Sequence, residues 1–291
     1  MIFMRYVIAV GGNAIQSSKA LNKLSASVVS LSVCGNEVVI THGNGPQVGE
    51  LALREKKSLA RLTEETQALV GSEIRSSIAH VDKKAGEGSR IVRTHVLVSG
   101  DDEEFVNPTK PIGRFYGRAA AERLAGRGFV MKRLLKGYRR VVPSPKPRRI
   151  VEVREIEKLL KSGHIVIAAG GGGIAVTGAK KLRYADAVID KDLASSLLAV
   201  KIKADILLIL TNVDGVIVGF HTRKARLLER VSVAELKRHA MSEHFEAGSM
   251  LPKVQACIDF VGKTGKRAVI GNLSKPEKVL GLKGATVVVP S

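Results

Sequence analysis

Short apolar runs alternate along the chain with stretches whose apolar residues recur at helical spacing, and several of the runs stop at glycine or asparagine. Arg5 to Val10 (RYVIAV) reads as a strand that closes on Gly11, Gly12 and Asn13. Ala20 to Val33 then puts Leu21, Leu24, Val28 and Leu31 on one helical face. Val38 to Thr41 is a second strand running into His42, Gly43, Asn44, Gly45 and Pro46, so the opening segment predicts a β-α-β unit. Pro46 suits the first turn of a further helix, where its missing N–H is no loss. Thr63 to Val81 predicts another helix, and Arg90 to Val98 a third strand.

From Ser99 to Arg149 the texture changes to charged, proline-bearing and aromatic pieces, with a short helical piece near Ala119 to Leu124. Pro143, Pro145 and Pro147 forbid both helix and central strand, so this stretch predicts an excursion from the sheet, a small subdomain or lid. The β-α grammar resumes with a helix over Val153 to Lys161 and a strand over Ile165 to Ala169 that ends in Gly170, Gly171, Gly172 and Gly173. Ala187 to Val200 leads into another helix. Asp205 to Thr211 is a strongly apolar strand closed by Asn212, Val213, Asp214 and Gly215. Gly248, Ser249 and Met250 precede a helix start at Pro252, and Ala268 to Ile270 and Thr286 to Val289 finish as strands.

A strand that ends in glycines and feeds a helix leaves backbone N–H groups unpaired at the helix N-terminus, which suits an anion. One such turn is equally an ordinary tight connection. Two glycine-asparagine turns at strand ends suggest a shared site, because loops at the carboxyl ends of neighbouring parallel strands converge on one crevice. Gly170, Gly172 and Ala175 formally satisfy a dinucleotide fingerprint with Asp190 downstream, but no helical stripe follows. A glycine tract lining phosphates without such a cofactor fits better. Lys191 lies between Asp190 and Asp192 at a helix start, and Lys253 lies in the first turn of another. Cations there are unfavourable with the helix dipole unless an anion is near. One of the two aspartates is expected to be an N-cap.

Composition narrows the picture further. The 291 residues are 45% hydrophobic, enough for a substantial core, and carry a net charge of +20. With 4% aromatics and no helix-turn-helix, zinc-finger or RNP pattern, the charge reads first as a solvated surface, second as steering of small anionic substrates and only a distant third as nucleic-acid binding, so nucleic acid is not expected as a partner. Cys34 and Cys257, among apolar neighbours and without metal-ligand spacing, are expected to be buried free thiols. No apolar run approaches the roughly 18 residues of a membrane span, and the start lacks a signal peptide, so a cytoplasmic location is expected.

Phosphoryl transfer needs positive groups around the moving phosphoryl and donors that hold both ends in line, and this inventory fits that job. The chain resembles the carbamate kinases of the amino acid kinase family. The resemblance rests on GGNAI at Gly11, THGNGPQVG at Thr41, NPTKPIGRFYG at Asn107, GYRRVVPSPKP at Gly137, GGGGI at Gly170, AVIDKDLAS at Ala187, LTNVDGV at Leu210 and FEAGSMLPKV at Phe245, in order over nearly the whole chain. It implies one domain over residues 1–291, a three-layer αβα sandwich with an open, mainly parallel eight-stranded sheet and a protruding subdomain at about 105–149. Residues 1–160 would serve the phosphoryl acceptor and 161–291 the nucleotide. It implies reversible phosphoryl transfer between ATP and carbamate, with Mg2+ carried by the nucleotide and no protein ligand to the metal, in a homodimer. Gly11, Gly12, Asn13, Gly43, Asn44 and Gly45 would line the acceptor side. Lys132, Lys191 and Lys253 would be the cations around the phosphoryl, with Asp192 orienting lysines. Gly170 to Gly173, Thr211, Asn212 and Asp214 would face the nucleotide. The chain departs from the pattern at Arg133 and Leu134, where acidic residues are usual, and at Asn212, where aspartate is common. A kinase of the same fold acting on another small carboxylate or phosphate remains the alternative.

Overall fold

The computed structural model describes residues 3–15, 17–178, 181–219, 225–242, 245 and 250–291. The chain begins with β1 (Arg5–Val10), α1 (Gly12–Ile15), α2 (Ser18–Val33), β2 (Glu37–His42), α3 (Gly45–Arg54) and α4 (Leu59–Val81). Next come α5 (Lys83–Gly88), β3 (Arg90–Ile91) and β4 (His95–Leu97). The excursion builds β5 (Lys110–Tyr116), α6 (Arg118–Ala125), β6 (Met131–Leu134) and β7 (Gly137–Val142), then returns through β8 (Arg149–Ile150) to α7 (Val153–Lys161). The second half adds β9 (Val166–Ile167), β10 (Ile174–Thr177), β11 (Arg183–Tyr184), α8 (Lys191–Lys201), β12 (Ile206–Thr211), β13 (Ile217–Val218), β14 (Arg226–Leu227) and β15 (Arg230–Ser232). It ends with α9 (Val233–Ser242), α10 (Met250–Thr264), β16 (Arg267–Asn272), α11 (Pro276–Leu280) and β17 (Ala285–Val289).

Eight strands form one sheet in the order β15-β17-β16-β12-β1-β2-β9-β3. Only β16 and β17 run antiparallel to each other; every other neighbouring pair in this sheet is parallel. Successive side chains of a strand point to opposite faces, and here both faces are apolar. Val7 and Ala9 of β1, with Leu207 and Ile209 of β12, pack with buried residues of α7, α8, α9 and α10. Ile8, Val10, Leu208 and Leu210 turn the other way, onto α2, α4 and α11. That is the expected three-layer αβα sandwich. β5, β7 and β6 make a separate three-stranded sheet, so the excursion is a folded subdomain.

Three differences from the sequence reading have local causes. Arg90 to Val98 is two strands, β3 in the large sheet and β4 in a smaller one, because the chain changes sheets between them. Gln67 of α4 fixes that crossing: its amide donates to the Thr94 carbonyl at 3.1 Å and accepts from the Thr94 N–H at 3.0 Å. Helix α4 begins at Leu59, earlier than the apolar spacing implied, because Ser58 caps it by accepting from the Arg61 N–H. Cys34 is exposed, since it closes the outer end of α2, whereas Cys257 is buried as expected. The Gly248 and Ser249 turn lies outside the described residues. Among the described residues no helix is long and apolar enough to cross a membrane.

Candidate active site

Strand β1 is the switch point of the large sheet: the chain leaves it for β2 on one side and later returns as β12 on the other. A crevice opens where neighbouring connections diverge like this, outside the carboxyl ends of the strands. Gly43 N–H donates to the Val10 carbonyl at 2.9 Å, and Gly11 N–H to the Leu210 carbonyl at 3.2 Å, so the first turns are extensions of the sheet ladder. The two turns touch. A Cβ on Gly43 would lie 2.8 Å from the Gly12 nitrogen and 3.2 Å from Lys191 Cδ. Glycine at 43 is therefore what lets the turn backbones and the stem of Lys191 converge.

Helix α8 enters the same crevice with its N-terminus. Asp190 is its N-cap: Oδ1 accepts from the Asp192 N–H at 2.8 Å and from Leu193 N–H at 3.2 Å, while Oδ2 pairs with Lys110 Nζ of the subdomain. Asp192 is 2% exposed and takes both lysines, Lys191 on Oδ1 and Lys253 on Oδ2 at 3.1 Å. Burial pushes the Asp192 carboxyl up, but the two ammonium groups together outweigh it and hold it well below the usual carboxylate range. For Lys191 burial wins and the ammonium is pulled down, with Asp192 opposing. For Lys253 burial acts downward too, but Asp192 and Asp190 outweigh it and its affinity for the proton rises. The backbone under Lys191 is braced by Ser195, whose hydroxyl donates to the Lys191 carbonyl at 2.5 Å and bonds to Thr41 Oγ1 at 2.6 Å.

The wall behind the turns is polar. Asn44, 2% exposed, donates to Thr66 Oγ1 at 2.8 Å, and Thr66 donates in turn to the Leu62 carbonyl. His42 is 1% exposed with Nδ1 3.2 Å from the Gly43 carbonyl. Burial lowers its pKa to about 4, the Gly43 hydrogen bond opposing and the Lys191 charge adding to the shift, so the ring is neutral near pH 7. The glycine tract forms a 3-10 turn, Gly170–Gly172, followed by strand β10 rather than a helix, which disposes of the formal dinucleotide fingerprint.

One cleft of about 250 Å³ gathers Gly11, Gly12, Gly43, Asn44, Gly45, Gly171, Lys191, Asp192, Thr211, Asn212 and Lys253 of the expected residues. Others stand apart. Gly170, Gly172 and Gly173 are buried behind Gly171 and do not line it. Asp214 is engaged by Asn272 at 3.0 Å and Lys275 at 3.5 Å at the outer turn. Asn13 lies in α1, directly after Gly12. Lys132 is exposed on β6, one strand out from Arg139, its cross-strand neighbour on β7. Arg139 and Lys110, which no sequence argument singled out, line the cleft instead. Both fall within motifs that carried the resemblance, NPTKPIGRFYG and GYRRVVPSPKP, and that was the available signal.

The cleft thus sets neutral backbone turns against a cluster of cations, and the two carboxylates that line it among the described residues are committed to lysines. Such a site stabilises negative charge that develops between two bound anions. Fold and cleft together define an α/β phosphotransferase. The sequence matches the model of the amino acid kinase family over residues 4–272. A carbamate kinase of Pyrococcus horikoshii is 40% identical over 98% of this chain and 99% of its own length, and carbamate kinase 3 of Staphylococcus aureus is 42% identical over 91% and 93%. The structure of a Giardia lamblia carbamate kinase bound to AMP-PNP superposes with a TM-score of 0.85 at 34% identity, covering 99% of both chains. The chain belongs to the amino acid kinase family.

Proposed function

We propose that the protein is a carbamate kinase, which moves a phosphoryl group reversibly between ATP and carbamate to give ADP and carbamoyl phosphate. The observation that carries this reading is the Asp192 carboxylate gripping Lys191 and Lys253 in a cleft whose other wall is the paired Gly12 and Gly43 turns. A carbamate oxygen attacks the γ-phosphorus while the bond to the ADP oxygen breaks, and charge spreads over the three remaining phosphoryl oxygens. Lys191 and Lys253 neutralise that charge, and Asp192 keeps both ammonium groups aimed. The turns at Gly11 to Asn13 and Gly43 to Gly45 hold the carbamate or carbamoyl end by backbone N–H groups. Gly171, Thr211 and Asn212 face the nucleotide, with Gly170, Gly172, Gly173 and Asp214 supporting that side. In this assignment residues 1–160 serve the acceptor and 161–291 the nucleotide. Lys132, the third cation that the family resemblance assigns to the phosphoryl, is exposed on β6 outside the cleft, and its part in the reaction rests on that resemblance alone.

Mg2+ comes with the nucleotide. Asp190 and Asp192 are both occupied by lysines, so phosphate and water oxygens would hold the ion, and it would add charge neutralisation across the phosphates. A homodimer in the cytoplasm is also part of the proposal, on the family resemblance, and light scattering of the purified chain tests its assembly. The deciding experiment is ATP formation from carbamoyl phosphate, ADP and Mg2+, and absence of ATP with folded protein refutes the reading. Arg139 in the cleft favours a second reading, a kinase for another small carboxylate or phosphate acceptor. Competition among such acceptors separates the two.

A further inference from the structure

A second cavity, of about 550 Å³, adjoins the catalytic cleft beneath the subdomain. Pro46 and Arg139 line both spaces. The cavity is built from α3 and β5 with Arg139 of β7, and its charge balance among the described residues is one-sided: Arg54, Arg114 and Arg139 face a single acid, Glu50, which is paired with Arg54 at 2.9 Å. Arg114 and Arg139 have no carboxylate partner among the described residues. Arg139 donates from Nη2 to the Gly113 carbonyl at 2.7 Å, and both arginines lie beside aromatic rings, Arg114 5.3 Å from the Tyr116 centroid and Arg139 5.3 Å from that of Phe115. The Tyr116 hydroxyl and Arg139 Nε are shielded from solvent with no hydrogen-bond partner among the described residues, a condition folded proteins rarely leave uncompensated. Leu53 and the half-exposed ring of Phe115 add apolar wall.

These surroundings select a ligand. Guanidinium groups without carboxylates bind phosphate or carboxylate oxygens, often two at a time. The flanking rings and Leu53 suit a flat apolar body. The same two elements then continue into the cleft. Helix α3 starts at Gly45 and Pro46 in the cleft and reaches the second cavity with Gly49, Glu50 and Leu53, while β5 gives Lys110 to Ile112 to the cleft and Gly113 to Tyr116 to the cavity. They are in backbone contact: a Cβ on Gly49 would lie 2.1 Å from the Gly113 nitrogen. Elements that touch without intervening side chains shift together.

We propose that this cavity is a second ligand site for a small dianion of phosphate or carboxylate type on a flat apolar body, and that its occupation alters the affinity of the catalytic cleft through Arg139, α3 and β5. The site is independent of the acceptor assigned above, so its binding test stands whether or not that assignment does. Phenyl phosphate is the probe, titrated calorimetrically into the full chain with the cleft saturated by AMP-PNP and Mg2+. Binding is expected to persist under saturation and to weaken by roughly tenfold or more in Arg114→Ser, with Arg114→Lys intermediate because it keeps charge without the planar fork. Arg114 does not line the cleft, and the Arg114→Ser protein is expected to keep its basal turnover and melting temperature. In the ATP-forming assay phenyl phosphate should shift the KM for carbamoyl phosphate in the unaltered protein and not in Arg114→Ser. No binding at millimolar concentration, full displacement by AMP-PNP, or equal affinity in Arg114→Ser overturns the site. Binding that leaves every kinetic constant unchanged overturns the coupling.

Discussion

Lys110 Nζ is bound to Asp190 Oδ2, and this pair ties the first strand of the subdomain to the cap of the helix that carries Lys191. The other oxygen of Asp190 is filled by two helix N–H groups, so one carboxylate fixes both the roof of the cleft and the start of α8. Lys110→Ala keeps the cap and unties the roof. It should lower kcat/KM by about 10- to 100-fold, the scale of losing a charge-assisted contact of roughly 1.5–3 kcal/mol. Asp190→Ala loses the cap as well and should cost a further ~1 kcal/mol of stability. Steady-state kinetics and urea unfolding check the pair; undiminished kcat/KM in Lys110→Ala rejects the link to catalysis.

Asp192 separates the roles of charge and charge placement. Replacing Lys191 or Lys253 with alanine should reduce kcat by about 10²–10³, as for other preorganised electrostatic groups, with the fold retained. Asp192→Asn has a different expectation, because it leaves two ammonium groups buried side by side without their anion. Removing one partner from such a buried group destabilises by roughly 3–5 kcal/mol. A double-mutant cycle over Lys253 and Asp192 should show strong coupling in unfolding free energy. Additive effects there would mean that the pairing contributes nothing.

Much of the site could be read from the chain because β1 and β2 are apolar strands that stop abruptly at glycine, and Lys191 and Lys253 stand where the helix dipole opposes them. Strand period and turn chemistry are local properties. What was hidden depends on who packs against whom. Lys110 and Arg139 belong to an extended stretch with no periodicity, and only the docking of the subdomain brings them to the cleft. Both aspartates at the start of α8 also meet lysines distant in sequence, Asp190 with Lys110 and Asp192 with Lys253, pairings that no local pattern announces. The four glycines from Gly170 look alike in sequence, yet contacts with His42, Asn44, Ile189 and Val96 decide that only Gly171 reaches the cleft. Likewise the break in Arg90 to Val98 is enforced by Gln67, a residue of another helix.

The contact between the two turns gives a test that adds a single methyl group. Gly43→Ala places a Cβ 2.8 Å from the Gly12 nitrogen, closer than real Cβ contacts allow, and against the stem of Lys191. Backbone cannot yield as a flexible side chain does, so the turn or the lysine must move. Overpacking of this kind costs about 1–3 kcal/mol. The melting temperature should fall and kcat should fall with it, whereas Gly45→Ala, whose Cβ meets nothing within 4 Å among the described residues, should leave the melting temperature nearly unchanged. Equal effects from the two substitutions would falsify the close-approach argument.

His42 sets the acid side of the stability profile. Its folded pKa is depressed to about 4 by burial, against about 6.5 in an unfolded chain. Between those values the unfolded state binds the proton and the folded state does not, so stability rises with pH across this window. Acidification from pH 7 to pH 5 therefore removes stability as the unfolded histidine titrates, at up to about 1.4 kcal/mol per pH unit. Asp192 acts later: with its folded pKa depressed, its contribution is present above about pH 4 and is lost as acid protonates it below that. The two groups thus act in separate windows. Urea unfolding at pH 5, 6 and 7 should show the slope in the unaltered protein. His42→Gln has no proton to take up and should flatten it, even though the substitution lowers stability at every pH. A slope that survives in His42→Gln assigns the acid sensitivity to other groups and removes His42 from the account.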